Sequence, residues 1–225
     1  MNKIKLFFVA NKIPSEETLH SLYTSVRFKN EKIENLNEDF KIWNDGRSIF
    51  IIMDDDKIEN IKDIYSFIDN NKKDEVKIKL MSQKTYNIPD LKADDIVTIT
   101  GTLCYTYKHH NQNKTIESCP INMNGKFKDG TKQPFLKYLN EKTGLNFSQA
   151  VESKEDVRFE RLFTDEKDIY SNNITKKVLV KNIILVQATL RVEDPEKTRS
   201  LFYKMIGKKK SYGFGNMTIE KYNFL

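Results

Sequence analysis

The spacing of apolar residues changes repeatedly along the first part of the chain, and each change marks an element. Residues 4–10 form a short apolar run rich in β-forming side chains, which predicts a buried strand followed by a turn at Pro14. Ser15 is the expected N-cap of a helix, because Glu16 and Glu17 suit its positive end and Leu19, Leu22, Tyr23 and Val26 follow at helical spacing to about Arg27. Two strands, at 40–43 and 48–53, flank Asn44-Asp45-Gly46-Arg47, where Asp-Gly is a hairpin signal. Ile58, Ile61, Ile64, Tyr65 and Ile68 then repeat at three and four residues as a second helix. Alternation over 76–81 predicts a fourth strand.

The resulting order is βαββαβ, the ferredoxin-like arrangement that also underlies RNA-recognition modules. We place this domain at residues 1–90, with 87–90 as a linker around Pro89. In the remainder, 91–225, a long alternating strand covers 95–107, and Pro134, Phe135, Leu136, Tyr138 and Leu139 predict a short helix stopped by Gly144. Residues 176–191 read as one strand. Asp194-Pro195-Glu196 starts a helix with Leu201, Phe202 and Met205 as its apolar stripe and Gly207 as its end, and 216–224 closes the chain as a strand. The second half thus repeats the first as a fold, not as a sequence. The expected class is α+β, with two tandem ferredoxin-like (RRM-like) βαββαβ domains built on antiparallel sheets.

Charge narrows the function classes. The 225 residues carry a net charge of +6, which favours a polyanionic partner such as nucleic acid, although acidic runs make the basicity local. Lysines concentrate in two polar stretches, 108–133 and 164–177, expected as surface loops or hairpins: Lys108, Lys126 and Lys128 in one, Lys176 and Lys177 in the other. Cys104 and Cys119, the only cysteines, lack metal-ligand spacing and are expected as reduced thiols. Neighbouring His109 and His110 would face opposite sides of a strand and cannot chelate one ion together. Asp54-Asp55-Asp56 is expected as a turn and cap rather than a cation site. No metal or other cofactor is expected. The N-terminal apolar run is too short for an exported leader or a membrane span, so a cytoplasmic protein without a membrane partner is expected.

The segment Ile206-Gly207-Lys208-Lys209-Lys210-Ser211-Tyr212-Gly213-Phe214-Gly215 joins glycines to three consecutive cations between a helix and the last strand. Glycines let a backbone approach phosphate closely, and neighbouring ammonium groups neutralise it. The spacing is not that of a Walker loop. Near the other end of the chain, a helical wheel puts His20, Tyr23 and Arg27 together on the flank of the buried stripe, where an imidazole can exchange protons at neutral pH. Without further information, such a position is more often that of a partly buried structural histidine.

These features together resemble a known family. The block IGKKKSYGFGNMTI resembles the C-terminal glycine-rich motif of the CasE family, the repeat-RNA endonucleases of the type I-E CRISPR Cascade complex. Thr18-Leu19-His20-Ser21-Leu22 resembles that family's early Leu-His helix, residues 40–53 its first hairpin, and Gln133-Pro134-Phe135-Leu136-Lys137-Tyr138-Leu139 its mid-chain helix, in the same order along nearly the whole chain. The resemblance implies cleavage of precursor CRISPR RNA at the base of the repeat hairpin by 2′-hydroxyl attack, without metal. It implies a catalytic role for His20 and a phosphate or transition-state contact for Lys210. Glu17 stands where family members carry a tyrosine, and Tyr23 is its substitute one turn later. Arg27, Lys208, Lys209, Ser211, Gly213 and Gly215 join the lysines named above as RNA-binding candidates, with other Cascade subunits as further partners. A non-catalytic hairpin-binding subunit is the alternative, and a ferredoxin-like protein unrelated to RNA is a third reading.

Overall fold

The computed structural model describes residues 3–14, 19–20, 22–23, 40–55, 78–111, 114–122, 124–153, 157–162, 167–171, 174–178, 182–208, 210 and 214–221. The predicted helix at 58–68 lies outside them. By backbone proximity the chain divides into two units, one of residues 1–89, 202–205 and 209–216, the other of 90–201, 206–208 and 217–225.

In the first unit β1 (Lys3–Ala10), β2 (Lys41–Asp45), β3 (Ser48–Asp54) and β4 (Ile78–Tyr86) form one sheet in the order β2-β3-β1-β4. The β2–β3 turn pairs Asp45 with Ser48 around Gly46-Arg47. Gly46 has a φ of +56°, so the left-handed residue is the first of the two central positions, where glycine carries no steric cost. Strand β4 runs five residues beyond the expected end at Met81, and a bulge opposite Phe7 and Phe8 leaves Met81 exposed.

Alternation along β1 sorts its residues onto two faces. Ile4, Leu6 and Phe8 lie opposite Met53, Ile51 and Ile49 and bury with Leu19, Leu22, Phe40 and Ile42 in one core. Leu19, His20, Leu22 and Tyr23 are helical, as the spacing predicted. Met205, from the C-terminal part of the chain, belongs to the same core. The other face of the sheet carries Lys3, Lys5 and Phe7 of β1 opposite Asp54, Ile52 and Phe50 of β3.

The second unit repeats this order. Its sheet is β12-β5-β11-β8, made of β5 (Ile96–Cys104), β8 (Val157–Leu162), β11 (Ile183–Arg191) and β12 (Asn216–Lys221). Helices α1 (Lys132–Thr143) and α2 (Phe147–Ser153) connect β5 to β8, and α3 (Pro195–Ser200) connects β11 to β12. Both units therefore have the ferredoxin-like strand order 4-1-3-2. Two hairpins are inserted into the second: β6 (Tyr107–Asn111) with β7 (Lys114–Ser118), and β9 (Lys167–Ser171) with β10 (Ile174–Val178).

Three expectations change. The strand expected over 95–107 ends at Cys104, and a new strand begins at Tyr107. The strand expected over 176–191 is two, because Asn182, at a φ of +71°, turns left-handed before β11 and its carbonyl accepts from the Tyr105 N–H at 3.2 Å. The helix after Asp194 is capped as expected, its carboxylate accepting from the Lys197 N–H at 3.1 Å, but it stops at Ser200. Leu201, Phe202 and Met205 are buried without being helical.

Three charged side chains among the described residues of the first sheet are buried: Lys3, Asp54 and Lys41. Lys3 Nζ meets Asp54 Oδ1 at 2.6 Å with the side chains 9% and 2% exposed, and the same ammonium lies 4.1 Å from the centre of the Tyr203 ring. Replacing Asp54 with alanine leaves that ammonium buried without its carboxylate, so we expect a loss of about 3–5 kcal/mol, read by urea unfolding. Lys41 is also buried. Burial, and after it the charge of Lys5, pull its ammonium down from 10.5 to about 7. Below about pH 7 both folded and unfolded chains hold the proton. Between about 7 and 10.5 the unfolded chain holds one more, so stability rises with pH across that window. We expect Lys41→Met to be more heat-stable than the natural chain at pH 6, with the advantage shrinking towards pH 10 in thermal melts.

Candidate RNA-processing site

The glycine-rich segment begins where the chain crosses the end of β5. Lys208 N–H donates to the Cys104 carbonyl at 2.9 Å, forming a single β-bridge. Gly207 has a φ of +86°, and a Cβ there would lie 3.0 Å from the same carbonyl oxygen, so this crossing requires glycine. Tyr138 of α1 completes the anchor, because the Gly207 N–H hydrogen-bonds its phenol oxygen. Burial, only partly opposed by that hydrogen bond, pushes the Tyr138 phenol up to about 12, with Tyr105 and Cys104 adding to the rise. Tyr138 thus stays protonated at neutral pH and holds the backbone. Its ring packs 4.8 Å from that of Tyr105, which in turn lies 5.0 Å from Phe135.

The basic candidates separate between the units. Lys208 is exposed, and its Nζ donates to Thr106 Oγ1 at 2.7 Å, which holds the ammonium over the corner between β5 and β6. Lys108 is exposed on β6 opposite Glu117. His109 and His110 follow it in register with Ile116 and Thr115. Exposed Lys126 and half-buried Lys128 sit on a loop braced by its own hydrogen bonds. Asn122 Oδ1 accepts from the N–H groups of Asn124 and Lys126 at 2.9 and 3.0 Å, and the Thr131 hydroxyl, 2.7 Å from both the Pro120 and Lys128 carbonyls, closes its base. Lys176 and Lys177 occupy adjacent positions of β10 opposite Ile169 and Asp168, and so belong to opposite faces of that ribbon. All of these lie in the second unit.

His20, Tyr23, Lys210 and Gly215 lie in the first. His20 is half-buried between buried Leu19 and Leu22, and its Nδ1 is shielded from solvent. Tyr23 is half-buried one turn on, its ring 4.8 Å from Phe40. Lys210 is half-buried, and Gly215 is buried at a φ of +88° just before β12. Arg27, Lys209, Ser211 and Gly213 lie outside the described residues. The segment is therefore divided. Residues 206–208 belong to the second unit and 209–216 to the unit that carries His20.

Sequence reasoning missed Arg158, because β8 has no clear period of its own. It lines a cleft of about 460 Å³ with Asn124, Phe127, Val151, Val157 and Phe159, beside the loop that carries Lys126 and Lys128. Its Nη2 meets Glu160 Oε2 at 2.6 Å at the surface. Asp54 of the acidic triplet is engaged by Lys3, and among the described residues no group of three or more His, Cys, Asp and Glu side chains is close enough to hold a metal ion. Nor is any described helix long and apolar enough to cross a membrane.

Neither a protein-family model nor a curated protein sequence matches the chain. Solved structures do. CRISPR endoribonuclease Cse3 bound to a 19-nucleotide RNA matches over 97% of this chain and 99% of its own, with a TM-score of 0.55 at 13% identity. Thermus thermophilus Cse3, bound to an RNA representing a pre-cleavage complex, matches over 98% and 100%, with a TM-score of 0.54 at 11% identity. Across nearly its whole length, then, the chain has the tandem ferredoxin-like fold of Cse3.

Proposed function

We propose that this protein is an endoribonuclease of the CasE type that binds the repeat hairpin of precursor CRISPR RNA and cuts at its base. The observation that carries the reading is the match of both units, in one alignment, to structures of an RNA-bound CRISPR endoribonuclease. The lysines of the second unit supply the charge that such a ligand needs. The grouping of Lys210 with His20 in the first unit supports a shared role at the scissile phosphate.

In the proposed reaction the ribose 2′-oxygen forms a bond to the adjacent phosphorus as the bond from phosphorus to the 5′-oxygen breaks. The 2′-hydroxyl gives up its proton and the departing 5′-oxygen gains one. The products are a 2′,3′-cyclic phosphate and a 5′-hydroxyl. His20 serves one of these proton transfers, and general acid or base help of this kind is worth about 10²- to 10⁴-fold. Lys210 offsets the charge that builds on the phosphorane oxygens. Tyr23 holds the imidazole side of the helix in place through its packing on Phe40. The mature guide stays bound within a larger ribonucleoprotein.

Incubating the protein with its cognate repeat hairpin in EDTA tests this directly. The natural chain should leave a 5′-hydroxyl and a cyclic phosphate, and His20→Ala should cut about 10²- to 10⁴-fold more slowly while binding the hairpin. Intact RNA, or a variant that cuts at the natural rate, removes the His20 mechanism. Binding should also weaken with salt, with a slope of log affinity on log salt of about −0.7 to −0.9 per phosphate contact, and Lys126→Ala should make that slope shallower by about one contact.

A further inference from the structure

The sheet face turned away from the core of the first unit holds three aromatic rings in a row across three strands. Trp43 of β2 lies in register with Phe50 of β3, which lies in register with Phe7 of β1. The rings are stacked, Trp43 on Phe50 at 5.1 Å and 21° and Phe50 on Phe7 at 5.3 Å and 19°. Each is half-buried. At such separations nearly parallel rings are slipped against one another, so the row leans like tiles and leaves ring surface free. Lys5 and Lys41 follow on the same face, both register partners of Ile52. Lys5 Nζ lies 4.7 Å from the Phe50 ring centre and 5.5 Å from that of Trp43, and Lys41 Nζ lies 5.7 Å from Trp43.

The three rings keep part of their surface exposed, although Ile52 and Lys41 in the neighbouring row are buried, whereas half-buried positions of β5 and β11 in the second unit include the polar Thr98, Thr100, Gln187 and Thr189. Partly exposed aromatic side chains on a four-stranded sheet, with the half-buried ammonium of Lys5 beside them, match the chemistry of unstacked bases on a charged backbone. We propose that this face is a second RNA-binding site, at which unpaired nucleotides stack on the Trp43–Phe50–Phe7 row while Lys5 meets a phosphate. The choice of RNA rests on the function proposed above; the two sites share no residue. The helix that carries His20 buries Leu19 and Leu22 against the opposite face of the sheet. A hairpin at His20 would therefore send a single-stranded flank, not its stem, to the aromatic row.

Trp43 is the only tryptophan in the chain, so its emission reports this face alone. The probe is an unstructured RNA of about ten nucleotides, within the site sizes of such platforms. Titrating it into the full chain should quench Trp43 saturably. Phe50→Leu, which keeps apolar volume without a ring, should weaken the affinity about 5- to 150-fold, the equivalent of one lost base stack, and Phe7→Leu should act in the same direction. A hairpin carrying a single-stranded flank should bind the natural chain more tightly than the bare hairpin, with the difference lost in Phe50→Leu. Absence of quenching overturns the site, as does unchanged affinity in both leucine variants, or self-association that already hides Trp43 from acrylamide without RNA. If the hairpin is cut but the short RNA leaves Trp43 untouched, the second site falls and the endonuclease stands. If Trp43 responds but no hairpin is cut, the site stands and the endonuclease falls.

Discussion

In the pairing of β1 with β3, Leu6 lies opposite Ile51 and Lys5 opposite Ile52, and the rest of the first unit depends on that alignment. Because β1 is a central strand, bonded to β3 on one side and β4 on the other, a slip of one residue would drive Lys3 and Lys5 into the core and expose Leu6 and Phe8. The buried contact of Lys3 with Asp54 opposes such a slip, since each charge needs the other at that register. Two different surfaces follow from the one alignment. The even positions make the apolar floor on which the His20 helix rests, and the odd positions make the aromatic and basic face on the other side.

In the second unit the comparable constraint is the crossing of the chain over the end of β5. Gly207 passes close to the Cys104 carbonyl, Lys208 bonds to it, and the Tyr138 phenol receives the Gly207 N–H. A motif that reads as a phosphate cradle therefore also has a structural duty. Its first glycine serves backbone packing, and the cations after it are divided between two units.

Legibility in the sequence followed the strength of local signals. Strand β1, the Gly46 hairpin, the helix closed by Gly144 and the Asp194 cap were all readable, because periodicity, turn chemistry and capping pointed the same way. Strand β8 was not. Its VRFERL pattern is half-buried at every position but exposed Arg158 and has no turn signal of its own, and with it Arg158 was lost from view. Helix α2 was missed because it is short and has few buried positions. The break at Asn182 came from one left-handed residue inside an apolar run, a choice made by tertiary hydrogen bonding rather than by propensity. For the site, the wheel did sort buried Leu19 and Leu22 from half-buried His20 and Tyr23. Wheels cannot show that residues 209–216 join the unit of His20, since that depends on contacts almost the whole chain apart.

The placement of the basic residues also accounts for how a chain only 11–13% identical to Cse3 keeps its fold. Lys108, Lys126, Lys128, Lys176 and Lys177 lie on hairpins and a loop inserted between the sheet strands of the second unit, where the frame needs only that the chain leave and return at fixed points. The core positions carry a pattern of burial that many apolar residues can satisfy. Loops that bear charge can therefore change in sequence at little expense in stability, while register, crossing glycine and capped helices hold the frame. The first sheet differs on this point. Its Trp43, Phe50 and Phe7 lie within the frame itself, half-buried and stacked across three strands, so a change at any of them alters the packing of the sheet as well as the surface it presents.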